Sequence, residues 1–263
     1  MRARVALGVL LFLVASLDAR VVMRAAGRST AEASGEMVVK TPAEAARTLL
    51  ARYHEDPTRI DRARELLESA LMTERRVDTL VTLSRACFLA GDVRAKTPED
   101  KLAAYDRGRE IGERAVELAP RDEEAHVWFA LNTGRWGQTR GVLRSLFLLP
   151  MMFRELDIIL SLNPRSVRGR ALAGNVYAEV PPLLGGDRAK AEEHFKKGLE
   201  IAPRFTVLRI DLARLYIATG RYDEARRQLR AVLAERAPTS LADWTVKDQP
   251  RARELLESIK DRK

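Results

Sequence analysis

Cysteine and histidine are scarce in this chain of 263 residues, which has one cysteine, Cys87, and three histidines, His54, His126 and His194. A single cysteine excludes an intrachain disulfide. Each histidine lies far from the other two along the chain, and none is near the cysteine, so metal-ligand spacing is missing. We therefore predict no metal site and no cofactor, and we interpret Cys87, which falls in the apolar pattern of a predicted helix, as a core residue rather than a reactive thiol.

Charge of one sign is not concentrated anywhere, although the formal net charge is +9 and the isoelectric point is near 10.0. Lysine and arginine alternate with aspartate and glutamate along nearly every predicted helix. A nucleic-acid footprint requires a localised basic patch. We therefore interpret the charges as solvated helix faces and predict no nucleic-acid partner.

Long hydrophobic runs are absent except near the N-terminus, where residues 1–19 are typical of an export signal. Arg2 and Arg4 precede an apolar run over residues 5–17, which is shorter than the roughly 20 residues that span a bilayer as a helix. No cysteine follows the run, which argues against a lipoprotein. We predict a periplasmic or otherwise exported protein, with membrane anchoring as the alternative if the segment is not cleaved, and a flexible spacer over residues 20–40.

Helical hairpins are predicted throughout residues 41–238. Thr41 is a helix N-cap with Pro42 at the first helical position, and later units end at recurring prolines. The last hairpin carries small and large residues at helical spacing, with a glycine in its turn: Leu212, Ala213, Tyr216, Gly220, Ala225, Leu229 and Pro238. This pattern resembles a tetratricopeptide repeat, and the fourth unit repeats part of it at Ala173, Tyr177, Ala191, Phe195 and Pro203.

The predicted fold is therefore all-α, a tetratricopeptide-like array of about five helical hairpins. Residues 239–263 form a C-terminal capping helix with one apolar face, made by Ala252, Leu255, Leu256 and Ile259.

Two stretches in the middle of the chain depart from a plain repeat and form the predicted groove for a ligand or partner. Trp128, Asn132, Trp136 and Arg140 recur every fourth residue, so they share one helical stripe, in which packing alone requires neither asparagine nor arginine. Residues 146–153, LFLLPMMF, are apolar on all sides of a helix that Pro150 would kink. This second stretch, with Leu146, Met151 and Met152, is either buried core or the wall of an apolar pocket. Tyr177 of the fourth unit is included in the predicted groove.

The order of these features resembles the T-component family of tripartite ATP-independent periplasmic (TRAP) transporters over about residues 46–233. An aromatic-rich helix with Asn132 precedes an apolar helix that ends at Asn163-Pro164, and Pro181-Pro182 and Gly185-Gly186-Asp187 follow. The resemblance implies a periplasmic helical protein that associates with a solute-binding receptor and has a cavity for a hydrophobic ligand.

Two functional hypotheses follow. The first is an exported scaffold for protein-protein interaction, accessory to a periplasmic solute uptake system. The alternative is a binding protein for an apolar small molecule held in the helical array. An enzyme is not predicted, because no motif supports a set of catalytic residues.

Overall fold

The computed structural model describes residues 40–262, and for Val142 and Leu143 it describes the backbone alone. The predicted export signal and nearly all of the predicted spacer lie outside the described residues. The described residues form one compact unit. Thirteen α-helices follow one another in this part of the chain: α1 Pro42–Ala51, α2 Arg59–Thr73, α3 Val77–Leu89, α4 Pro98–Leu118, α5 Glu123–Arg140, α6 Val142–Phe147, α7 Leu149–Leu162, α8 Val167–Glu179, α9 Arg188–Ile201, α10 Thr206–Ala218, α11 Tyr222–Ala234, α12 Leu241–Asp243 and α13 Gln249–Ser258.

The helices pair into five antiparallel hairpins, which confirms the predicted array. The pairs are α1 with α2, α3 with α4, α5 with α6 and α7, α8 with α9, and α10 with α11. Each hairpin also packs on the next one through its second helix. None of the helices within residues 40–262 combines the length and apolarity needed to cross a bilayer.

Local signals define where several helices begin. Thr41 accepts a hydrogen bond from the Glu44 backbone, and the Glu44 side chain accepts one from the Thr41 backbone, so α1 starts with a capping box. Asp122 caps α5 and Asp187 caps α9 through their carboxylates. These caps confirm Thr41 and Asp122 as the predicted helix starts.

The last hairpin is built as its small residues predict. Ala213 and Ala225 are fully buried in one apolar core with Leu229, so the two helices approach closely. Gly220 has a backbone φ of +74°, a conformation that costs glycine little and other residues more. This turn lets α11 fold back on α10.

The C-terminal segment does more than cap the last hairpin. α13 packs on α11 and buries Ala252 and Leu255, and Ile259 directly after the helix is buried as well, as the prediction of a capping helix requires. Before it, α12 and a π-helical turn over Trp244–Asp248 contact α1 and α10. This earlier part therefore brings the end of the array next to its beginning.

The third hairpin corrects the sequence prediction. The sequence predicts residues 146–153 within one helix that Pro150 kinks, but the helix is interrupted at Leu148. Pro150 lies in the first turn of α7, where the missing N–H is not needed. The stretch LFLLPMMF is also not enclosed on all sides, because Phe147 is 81% exposed.

Candidate functional site

A cavity of about 830 Å³ lies on the concave side of the array. Its wall comes from the inner helices α3, α5, α8 and α10, from the junction of α6 and α7, and from the C-terminal segment 239–248. Each inner helix is the first of its hairpin, so one face per repeat points inward. The cavity is therefore a property of the whole array and not of any single repeat.

Three hydrogen bonds fasten the C-terminal segment across this cavity. The Tyr53 hydroxyl of the first hairpin donates to Asp243 Oδ1 at 2.8 Å. Lys247 Nζ donates to Asp92 Oδ2 of the second hairpin at 2.7 Å, and Thr206 Oγ1 of the fifth donates to Asp248 Oδ2 at 2.6 Å. The segment thus joins three hairpins that are far apart in the sequence and closes one side of the cavity.

One side of the cavity wall is apolar. Aliphatic residues of α5, of the α6–α7 junction and of α8 meet there: Leu131, Leu146, Leu148, Leu149, Met152, Leu172 and Val176. Met152 belongs to the core beneath this wall, whereas Leu146 and Leu148 are half-buried. A continuous aliphatic surface of this kind accepts apolar side chains or an apolar ligand.

Two cations that line the cavity, Arg135 and Lys247, share a buried carboxylate, that of Asp92. The side chain of Asp92 is 8% exposed and accepts hydrogen bonds from the Tyr105 hydroxyl at 2.7 Å and from Lys247 at 2.7 Å. Arg135 Nε lies 3.6 Å from the same carboxylate. Burial alone would raise the pKa of Asp92, but the charges of Lys247 and Arg135 outweigh it and lower the pKa. Asp92 is therefore ionised, and it holds two cations at the cavity.

Two further carboxylates at the cavity have raised pKa values because they are buried. Burial raises the pKa of Asp248 to about 6, against the hydrogen bond from Thr206. Burial also raises the pKa of Asp211, although Asn175 donates to its carboxylate at 2.9 Å and Arg214 lies 3.6 Å away. Both of these carboxylates line the cavity, whereas Asp92 contacts it through Arg135 and Lys247.

A second cavity of about 760 Å³ opens beside the first, between α1, α3 and the start of α5. Arg85, Trp128 and Arg168 line both cavities, so these three side chains form the boundary between them. Trp128 is 6% exposed, and its indole nitrogen donates to Glu124 Oε2 at 2.8 Å. The guanidinium carbons of Arg85 and Arg168 lie 5.8 and 5.4 Å from the Trp128 ring.

The structure brings three of the eight predicted groove residues to the larger cavity, namely Trp128, Leu146 and Met152. Met151 packs on the core beneath the wall. Tyr177 lies between Phe153 and His194, with its ring stacked on the His194 ring at 5.5 Å. The binding roles of all eight residues stay predictions. Of the eight, only Trp128, Leu146 and Met152 lie in the cavity wall.

Asn132 was predicted for a groove, but it is fully buried between helices. Its Nδ2 donates to the carbonyl oxygen of Ser84 at 3.0 Å and to that of Trp128 at 2.9 Å. A Cβ at Gly108 would lie 2.2 Å from Asn132 Oδ1, so the glycine supplies the space for the asparagine. The amide nitrogen of Asn132 thus joins α3 to α5, whereas its Oδ1 packs beside Gly108 of α4 without a hydrogen-bond partner among the described residues.

Trp136 and Arg140 lie outside the cavity wall as well. Three guanidinium groups surround the Trp136 ring, with Arg109, Arg140 and Arg144 at 5.1, 5.0 and 5.9 Å from its centre. The four predicted residues do not share one face of α5, because a straight helix turns by 100° per residue. Positions four residues apart are therefore rotated progressively around the helix axis. Only the first member, Trp128, faces inward.

Several cavity residues were not predicted from the sequence. They are charged or amide side chains of the inner helices and of the C-terminal segment: Arg85, Arg135, Asn175, Asp211, Arg214, Asp243, Lys247 and Asp248. No local pattern in the sequence distinguishes them as a group, and only the folded array brings them together. A weak signal was available in α10, where Asp211 is the one acidic residue.

Within residues 40–262, no three histidine, cysteine, aspartate or glutamate side chains come together in a way that would hold a metal ion. The candidate site is therefore described by its hydrogen-bonding groups, its charges and its apolar wall.

Comparison with known proteins identifies two regions of similarity. A tetratricopeptide repeat family model matches residues 183–243, and a model of the regulator of microtubule dynamics proteins 1-3 matches residues 43–166. The chain is 26% identical over 168 residues to regulator of microtubule dynamics protein 2 of Rattus norvegicus, covering 57% of this chain and 40% of that protein. It is 25% identical over 189 residues to protein 3 of the same organism, covering 66% and 40%. The chain thus spans about 40% of the length of these relatives.

Among solved structures, a thermophilic TPR protein of Thermus thermophilus superposes with a TM-score of 0.59 and 23% identity. The match covers 82% of this chain and 100% of that one. The predicted repeat fold is thereby confirmed. An array of this type presents an extended concave surface of the kind that repeat proteins use for binding.

Proposed function

We propose that this protein is an interaction scaffold that holds a segment of a protein partner in its concave cavity. The observation that carries the proposal is the composition of the cavity wall, which combines aliphatic side chains with charged ones. Such a wall accepts apolar anchor side chains and orients them through polar contacts at the edge. Its volume of about 830 Å³ also suits the insertion of a few side chains.

Recognition would depend on side chains of the inner helices. Residues 40–262 contain no strand, so a partner cannot add to a sheet edge there. The partner segment would instead lie along the inner helices, as a helix or as an extended chain. Its apolar residues would face Leu131, Leu149 and Leu172.

A site-specific photocrosslinker tests this proposal. In the full chain, it replaces Leu131 on the cavity wall or, as a control, Leu118, which is 53% exposed at the end of the outer helix α4. We expect one partner to be crosslinked from position 131 and not from position 118. A Leu172→Glu change opposite the crosslinker should abolish that product. Equal labelling from both positions, or labelling that Leu172→Glu leaves unchanged, would contradict binding in the cavity.

An apolar small molecule is the second candidate, and the aliphatic wall around Leu146, Leu148 and Met152 favours it. Native mass spectrometry of the full chain would detect a bound apolar species of defined mass. Leu149→Glu should release that species, whereas Leu118→Glu should retain it. A ligand-free spectrum together with a crosslinked partner would favour the first candidate.

We propose further that the protein is exported and serves beside a periplasmic solute-binding receptor. The apolar segment in residues 5–17 and the resemblance to transporter T-components support this role. The names of the relatives point to a different context, the regulation of microtubule dynamics. Cell fractionation with N-terminal sequencing tests export and cleavage, and co-sedimentation with microtubules tests the second context. Pelleting with microtubules and retention in the cytoplasm would overturn the periplasmic role.

A further inference from the structure

Arg85 is placed differently from the other cations of the cavity. It extends from α3 into the boundary between the two cavities, where the Trp128 ring lies 5.8 Å from its guanidinium carbon. Arg168 lies over the same ring at 5.4 Å. One indole is therefore flanked by two guanidinium groups at the point where the two cavities meet.

Every other cation of the larger cavity has an acidic neighbour. Arg168 donates to Glu124 at 2.8 Å, and Lys247 and Arg135 share Asp92. Arg214 lies 3.4 Å from Glu179 and 3.6 Å from Asp211.

Arg85 has no such neighbour. Within residues 40–262, its guanidinium makes no hydrogen bond and has no carboxylate within 4.0 Å. Burial lowers the pKa of Arg85, and the nearby charge of Arg168 lowers it further. Arg85 is half-buried and lines both cavities, so its guanidinium is free to pair with an anionic group of a bound partner.

The surroundings of Arg85 favour a group with a single negative charge. A guanidinium presents paired donors that fit a carboxylate or a phosphate. A phosphate monoester, with a charge of about −1.5 to −2, would require a second uncompensated cation. The nearest one, Arg168, is already paired with Glu124, and the negative charges of Glu124 and Asp243 act on the same region. A carboxylate, with one negative charge, therefore matches the single unpaired positive charge of Arg85.

The residues beside Arg85 indicate what accompanies the carboxylate. Phe88 and Leu89 follow on the same helix, and Leu172 lies on the facing wall of the larger cavity. We propose that Arg85 binds a carboxylate of the partner segment, from an aspartate or glutamate side chain or from a free C-terminus, with apolar residues next to it in the larger cavity. This inference rests on the proposed function, since it names the chemistry of the segment held there.

Selection from two displayed peptide libraries tests the inference with the full chain as bait. One library presents random internal segments, and the other presents random segments with a free C-terminus. We expect enrichment of peptides with a carboxylate beside apolar residues, and the library in which it occurs identifies the source. Enrichment of apolar peptides without an acid would overturn the role of Arg85 and leave the proposed function standing. No enrichment from either library would overturn both.

A double-mutant cycle measures the contact directly. The enriched peptide and its counterpart with the carboxylate replaced by an amide are bound to wild type, to Arg85→Gln and to the control Arg230→Gln, an exposed arginine of α11. Loss of a charge-assisted hydrogen bond should weaken binding about 10- to 100-fold. We expect this loss for the amide peptide on wild type and on the control, and no difference between the two peptides on Arg85→Gln.

Thermal unfolding of each variant separates binding from folding. Arg85→Gln should melt close to the wild-type temperature, because Arg85 is half-buried and the change breaks no ion pair within residues 40–262. A difference between acid and amide peptides that persists on Arg85→Gln would refute the assignment, and so would a large loss of thermal stability in that variant.

Discussion

Replacing Asp92 by asparagine should loosen the contact that closes the array. The substitution keeps the shape of the side chain and an acceptor for the Tyr105 hydroxyl, but it removes the charge. Lys247 of the C-terminal segment and Arg135 of α5 then face a neutral amide. The C-terminal segment should consequently separate from the second hairpin more easily than in the wild type.

The magnitude follows from the burial of the pair. Removing one partner of a fully buried ion pair costs about 3–5 kcal/mol. Asp92 is 8% exposed, but Lys247 is 28% exposed and also lies 3.8 Å from Asp243, which offsets part of the loss. We therefore expect a decrease of about 3 kcal/mol in the free energy of unfolding, at the lower end of that range. Adding Lys247→Met should restore about 1–2 kcal/mol, because the unpaired ammonium is then gone.

Urea unfolding of the full chain, followed by circular dichroism, measures both quantities. Hydrogen exchange locates the effect, with protection of the π-helical turn Trp244–Asp248 expected to fall while α9 keeps its protection. Glu257→Gln, which breaks an exposed ion pair with Lys260, is the matched control and should unfold like wild type. A decrease below about 1 kcal/mol, or strict additivity of Asp92→Asn and Lys247→Met, would refute the buried closure.

Three further predictions concern titration, packing and thiol reactivity. Asp248 has a raised folded-state pKa of about 6, so the folded state binds its proton more tightly than the unfolded state. Its contribution to the free energy of unfolding is therefore most favourable below pH 4 and is lost as the pH rises from about 4 to 6. Urea unfolding at several pH values should show this decrease in wild type and not in Asp248→Asn. The same pH dependence of the unfolding free energy in both proteins would contradict it. Leu229→Ala should lower the free energy of unfolding by about 2–5 kcal/mol through a cavity, and Ala225→Leu by about 1–3 kcal/mol through overpacking; wild-type urea midpoints for both would mean that the helix pairing is wrong. Cys87 is buried, which raises its pKa to about 11, so a thiol reagent at pH 8 should label it only in denaturant; rapid labelling of the folded chain would refute this placement.

The repeat architecture was readable from the sequence because its signals are local. A capping box at Thr41, an N-cap at Asp122 and a left-handed glycine at position 220 each act within a few residues. Helical spacing then places Ala213 and Ala225 on facing stripes, since this periodicity is a property of every helix. Five hairpins follow from such patterns without knowledge of the tertiary structure.

The candidate site was much less predictable, because contacts between distant residues decide it. Asn132 suggested a groove until its partners were known, and those partners are Ser84, 48 residues away, and the space left by Gly108. Pro150 indicated a kink, whereas it begins a new helix after the break at Leu148. In both cases the residue type was informative, but its surroundings came from other repeats.

The sequence by itself determined the helices, their order in five hairpins and the small residues that let them pack, because capping, propensity and periodicity are short-range properties. Only the tertiary structure decided that the array closes on itself. Lys247 and Asp92 are 155 residues apart, and nothing in either local sequence distinguishes them from solvated surface charges. Their contact arises from the accumulated rotation of successive hairpins, which gives the repeated scaffold a partly enclosed cavity. Arg85 lines this cavity without an acidic partner among residues 40–262.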